Sequence, residues 1–96
     1  MKVVGRSLLD AFVKRHADAR QWISNWIADV ELSTWTTSHD IKARYASASF
    51  LHKNVVIFNV NGNKYRLETI VAYKTAVVSV SWVGTHAEYD QRNRDR

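Results

Sequence analysis

Apolar residues recur with two different periods along this 96-residue chain. Leu8, Leu9, Phe12 and Val13 stand at i, i+1, i+4 and i+5, and the same spacing returns in Trp22, Ile23, Trp26, Ile27 and Val30. Each set covers one face of a 3.6-residue helix. The pattern predicts a short strand at Lys2, Val3 and Val4, an amphipathic helix from Arg6, and a second helix. Asp18 is the expected N-cap of that second helix, residues 19–21 fill its first turn, and the two helices join near residues 16–18. The Ser- and Thr-rich stretch 33–38 around Trp35 reads as a loop, after which Ser38 or Asp40 caps a short helical segment over 41–45.

Beyond residue 54 the period changes to two. Val55, Val56, Ile57, Phe58 and Val60 form a β-branched and aromatic run, Asn61-Gly62 is the preferred type I′ hairpin dipeptide, and residues 63–73 return as a strand. On that strand Tyr65, Leu67, Thr69, Val71 and Tyr73 point one way and Lys64, Arg66, Glu68, Ile70 and Ala72 the other, so one face is apolar and the other carries charge near its beginning. A turn at 74–76, a third strand over 77–83, a break at Gly84 and a short helix or turn from Thr85 complete the pattern. Helices followed by an antiparallel meander predict an α+β domain over residues 1–90, with helices packed on one sheet face, and residues 91–96 as a polar, basic, frayed tail.

Composition narrows the function classes. With 46% hydrophobic and 24% charged residues the chain is globular rather than disordered, and its length holds one small domain. The absence of cysteine removes disulfides, thiolate metal sites and a cysteine nucleophile, and suits a reducing compartment. No apolar run approaches the ~18 residues of a membrane span and the first residues lack the apolar core of a signal peptide, which points to the cytoplasm and away from membranes. The formal net charge of +5 favours polyanionic partners. His16, His39, His52 and His86 show no metal-ligand spacing, and the first three read as surface residues; no metal or other cofactor is expected.

Chemistry concentrates near the second and third strands. Antiparallel pairing across the 74–76 turn sets opposite one another residues whose numbers sum to about 150, so Arg66 faces Gly84 and Lys64 faces His86, with Tyr89 one helical turn further on. Such a basic cluster beside a histidine can cleave RNA without metal. A base takes the 2′-OH proton, cations stabilise charge on phosphorus, and an acid protonates the departing 5′-oxygen. Each element also has a plainer reading: Arg66 in a salt bridge to Glu68 or Glu88, His86 opening a helix capped by Thr85, Tyr89 as a core aromatic, Arg92, Arg94 and Arg96 as a solvated tail. Spacing alone favours these. Trp22 and Trp26 lie on the apolar helical stripe and belong to the core; Trp82 is ambiguous.

Two motifs carry a resemblance. Phe58-Asn59-Val60-Asn61-Gly62-Asn63-Lys64-Tyr65-Arg66-Leu67 and Val83-Gly84-Thr85-His86-Ala87-Glu88-Tyr89-Asp90, at their mutual separation, are similar to the HigB-type toxins of bacterial type II toxin–antitoxin modules, within the RelE/ParE-like superfamily. Asp40-Ile41-Lys42-Ala43-Arg44-Tyr45 and Ser47-Ala48-Ser49-Phe50-Leu51 resemble the family's middle segment, which commonly has proline where this chain has Ala46. The resemblance implies N-terminal helices packed on a twisted, mainly antiparallel sheet with a short C-terminal helix. It also implies a ribosome-dependent mRNA interferase that cuts translated mRNA and halts growth. A HigA-like helix-turn-helix antitoxin would neutralise it, and DNA association would be indirect, through that antitoxin. Carried over by residue, Arg66 becomes the transition-state cation, His86 and Tyr89 the proton-transfer groups in either order, and Lys64 a phosphate contact. Arg92 and Arg94, by charge alone, are further candidate RNA contacts. Asp90 would either orient His86 from i+4 or merely finish a surface turn. A ParE-like toxin that inhibits DNA gyrase by protein contacts, and a non-catalytic RNA- or protein-binding module, are the competing functions.

Overall fold

The computed structural model describes residues 1–94. Along the chain these form β1 (Lys2–Val4), α1 (Arg6–Arg15), a 3-10 turn (Ala17–Ala19), α2 (Arg20–Leu32), α3 (Ser38–Arg44), β2 (Ser49–Phe50), β3 (Val55–Val60), β4 (Tyr65–Ala72), β5 (Val77–Thr85) and α4 (His86–Arg94). The five strands make one sheet in the order β1-β5-β4-β3-β2, antiparallel except for β1 beside β5. This is the expected α+β arrangement: the predicted strand at Lys2–Val4 lies parallel along one edge of the meander, and the short β2, which the pattern did not predict, lies along the other.

The inner sheet face meets α1, α2 and α3. Leu9 and Phe12 from α1, Ile23, Trp26 and Val30 from α2 and Ile41 from α3 are buried with Val56, Phe58, Val60, Leu67, Val71, Val78 and Val80 of the strands. Aromatic rings join the layers edge to face: Trp26 with Phe58 at 5.4 Å between centroids, Tyr45 with Phe58 at 5.2 Å, Phe12 with Tyr65 at 5.1 Å. Their area makes this face the main source of stability.

Local chemistry departs from expectation at four points. Thr37, rather than Ser38 or Asp40, is the N-cap of α3, and the Asp40 carboxylate accepts the backbone N–H groups of Thr36 (2.9 Å) and Thr37 (3.3 Å), which holds it below the usual carboxylate range. Asn61 and Gly62 do adopt positive φ, yet pairing closes at Val60 and Tyr65, leaving residues 61–64 in a four-residue turn instead of the two-residue hairpin. Gly84 does not end β5: it pairs with Arg66, and the strand runs on to Thr85. A Cβ at Gly84 would lie 2.7 Å from the Trp82 indole and 2.9 Å from Glu88 Oε1, so glycine is needed for close approach rather than for a break. Finally, α4 runs on through Arg94, so the first part of the expected tail is helical; Arg96 lies outside the described residues.

One irregularity positions α4. Glu68 pairs with Trp82 and Thr69 with Val80, so Ser81 is an extra residue in β5. The bulge reverses the alternation: Val78 and Val80 point inward before it, while Trp82 and Gly84 after it share the outer face with Arg66 and Glu68. There α4 settles, with Tyr89 beside Trp82 (6.0 Å between ring centroids) and Arg92 paired to Glu68 at 3.1 Å. Three helices therefore cover one face and the fourth lies on the other. No helix among the described residues is long and apolar enough to cross a membrane.

Candidate active site

Arg66 stands on the outer row of β4, half-buried, opposite Gly84. Among the described residues its guanidinium reaches nearby carbonyls, Tyr65 O at 3.3 Å and Asn63 O at 3.5 Å, both long for hydrogen bonds. It forms no ion pair among the described residues. The two carboxylates offered by the sequence as salt-bridge partners are engaged elsewhere. Glu68, only 5% exposed, meets Arg92, whose guanidinium also lies 5.4 Å from the Trp82 ring centroid. Glu88 Oε1 accepts the Thr85 backbone N–H at 2.8 Å. Among the described residues no carboxylate therefore compensates the charge of half-buried Arg66.

His86 opens α4. Its Nδ1 lies 2.9 Å from Asp90 Oδ2 across one helical turn, with both side chains about half exposed (46% and 50%). The contact orients the imidazole ring with Nδ1 toward the carboxylate. Thr85 caps this helix as the plainer reading held: Glu88 N–H donates to Thr85 Oγ1 at 3.1 Å while Glu88 returns its carboxylate to the Thr85 N–H. That backbone bond is the main reason the Glu88 carboxyl is held below its ordinary range. The His86 N–H, an unpaired donor of the first helical turn, is taken by the Lys64 carbonyl at 3.2 Å. Register arithmetic thus brought the right backbones together: Arg66 with Gly84, Lys64 with His86.

Side chains do not follow the same grouping. The Lys64 ammonium leaves the cluster and bonds Asp18, so Asp18 is not the N-cap of α2; Ala19 holds that position without a side-chain cap. Tyr65 OH donates to the other Asp18 oxygen at 2.7 Å. These two bonds lower the Asp18 carboxyl and, in turn, Asp18 raises both Lys64 and Tyr65. His16 is not a simple surface residue either: its half-buried ring packs against Phe12 (4.7 Å) and Tyr65 (5.1 Å). Arg92 is held by Glu68, and Arg94 Nη2 donates to Gln91 Oε1 at 2.6 Å. Tyr89 is half-buried against Trp82.

Among the described residues the outer face accordingly presents the Arg66 guanidinium without a carboxylate partner, the carboxylate-oriented His86 imidazole and the Tyr89 phenol, from adjacent parts of β4 and α4. A guanidinium of this kind can stabilise developing anionic charge, and an imidazole beside a carboxylate can accept or donate a proton near neutrality. No three His, Asp or Glu side chains among the described residues are placed to hold a metal ion. The model of a protein family described as HigB_toxin, RelE-like toxic component of a toxin-antitoxin system, matches residues 19–92. No curated protein matches the chain.

Proposed function

The chain belongs to the HigB family, the RelE-like toxic component of a toxin-antitoxin system, and on that premise we propose that it is a ribosome-dependent mRNA interferase. A toxin of such a module has an antitoxin as its partner. The observation that carries the enzymatic reading is Arg66, free of any carboxylate among the described residues, on the same outer face as the His86–Asp90 pair. In the proposed reaction the 2′-oxygen of the substrate ribose loses its proton to a base and bonds to the adjacent phosphorus. The bond from phosphorus to the 5′-oxygen breaks, and an acid returns a proton to that oxygen. His86 and Tyr89 share the two proton transfers, and Arg66 offsets the charge that grows on the phosphoryl oxygens.

Lys64, Arg92 and Arg94 are the further cations proposed to face the RNA backbone. The ribosome would align the mRNA, which spares so small a chain a deep pocket. A HigA-like antitoxin would cover the outer face with acidic or apolar contacts and supply the link to DNA. Expression without antitoxin, followed by mapping of mRNA 5′ ends, tests the reading. New codon-linked ends are expected, and an Arg66→Ala, His86→Ala double variant should produce none. Full toxicity of that variant would remove the catalytic assignment, and gyrase-dependent DNA breaks with intact mRNA would replace it with inhibition by protein contacts.

A further inference from the structure

Asp18 sits in the turn between α1 and α2, far along the chain from the residues it touches. Its backbone carbonyl accepts Asn61 Nδ2 at 2.9 Å, its Oδ1 accepts Tyr65 OH at 2.7 Å, and its Oδ2 accepts the Lys64 ammonium. One residue therefore grips both ends of the 61–64 turn. The far side of that turn supports the candidate site. Lys64 O receives the His86 N–H, and Tyr65 pairs with Thr85, the cap of α4. Two covalently continuous residues, Lys64 and Tyr65, thus separate the Asp18 carboxylate from the first turn of the helix that carries His86 and Asp90.

We infer that Asp18 is a positioning residue: by anchoring Lys64 and Tyr65 it fixes the backbone seat on which His86 enters α4. Magnitudes separate this role from ordinary stabilisation. Lys64 and Asp18 have side chains 60% and 43% exposed, and exposed ion pairs contribute little to global stability. A displacement of about 1 Å at a proton-transfer group can instead cost about 10²-fold in rate. Hydrogen bonds from Lys64 and Tyr65 keep the Asp18 carboxyl below its ordinary range, so the anchor is anionic at neutral pH. Sequence proximity gave no hint of the link, because the carboxylate and the ammonium are 46 positions apart.

The cleavage arm of the test rests on the interferase reading; the exchange arm does not. Asp18→Asn keeps the shape and the backbone acceptor for Asn61 but removes the charge and leaves one acceptor oxygen where two now receive Lys64 and Tyr65. Amide hydrogen exchange at His86 should accelerate about tenfold or more while Val71 in β4 stays protected, and the melting midpoint should move by no more than about 5 °C. Lys64→Met, which spares the Tyr65 bond to Asp18, should produce the same local acceleration. In a ribosome-bound assay Asp18→Asn should lower mRNA cleavage by about 10- to 100-fold and add nothing further in a His86→Ala background. Unchanged His86 exchange in both single variants would overturn the inference, as would an Asp18→Asn loss that persists in full in His86→Ala. If the unaltered protein cleaves no mRNA, the interferase reading fails while the exchange data still decide the role of Asp18.

Discussion

The two faces of the sheet are built to opposite specifications. The inner face is aliphatic and aromatic, sealed by α1, α2 and α3, and its members at Leu9, Phe12, Trp26, Phe58, Leu67 and Val78 are almost wholly buried. The outer face carries Arg66 and Glu68, leaves Ile70 46% exposed, and is covered only in part by α4. Burial does the work of folding on one side, so the other is free to hold a guanidinium that has no carboxylate partner among the described residues and would be costly in a core. A chain of this length can leave charged groups on its outer face because its stability is concentrated on a single layer.

The contrast breaks first at the inner face. Phe58→Ala removes a ring that touches both Trp26 and Tyr45 and should cost about 3–5 kcal/mol in denaturant unfolding, enough to leave much of so small a domain unfolded. A loss below about 1 kcal/mol would mean that the two faces do not divide labour in this way. Gly84→Ala tests the outer face by overpacking. The new methyl would meet the Trp82 indole and Glu88, for about 1–3 kcal/mol, and because both belong to the seat of α4 the His86 and Tyr89 resonances should shift in NMR spectra. Undisturbed His86 and Tyr89 would uncouple Gly84 from the site.

Smaller effects sharpen the outer face itself. Asp90→Asn should leave folding intact and, by loosening the contact that orients the His86 ring, reduce mRNA cleavage about tenfold. An unchanged cleavage rate would make the His86–Asp90 contact incidental. The smallest expected change concerns the 61–64 turn. Asp18 has its folded pKa lowered below an unfolded value of about 3.9, so its contribution is complete above that pH and fades as pH falls through the depressed value. Lys64 is raised, so its contribution is complete below about 10.4 and fades as pH rises past it. Amides of this turn should therefore hold their protection between those limits and lose it first at either extreme, ahead of β4 and β5.

Much of the fold is written in local periodicity. The helical stripe from Trp22 to Val30, the alternation from Tyr65 to Val71 and the pairing of Arg66 with Gly84 follow from side-chain period and antiparallel register alone. What escaped depends on partners remote in sequence. Asp18 has the chemistry of an N-cap, yet Lys64 and Tyr65 outcompete the helix for its carboxylate. Gly84 looks like a strand breaker until the Trp82 indole is seen lying over it. The bulge at Ser81, which turns Trp82 outward, has no local signature at all. At the candidate site the backbone neighbours were legible and the occupancy of the charges was not, since whether Lys64, Arg66 or Arg92 is paired depends on where Asp18 and Glu68 end up in three dimensions.

The central claim is that Arg66 supplies the charge stabilisation for RNA cleavage on the ribosome. Purified protein added to ribosomes stalled on a defined mRNA with an open A site, with products read by primer extension, measures it directly. The account predicts a new 5′ end within the A-site codon, and a rate about 10²- to 10³-fold lower for Arg66→Ala at an unchanged melting temperature. Absence of any cleavage, or cleavage by a folded Arg66→Ala variant at the rate of the unaltered protein, would contradict it.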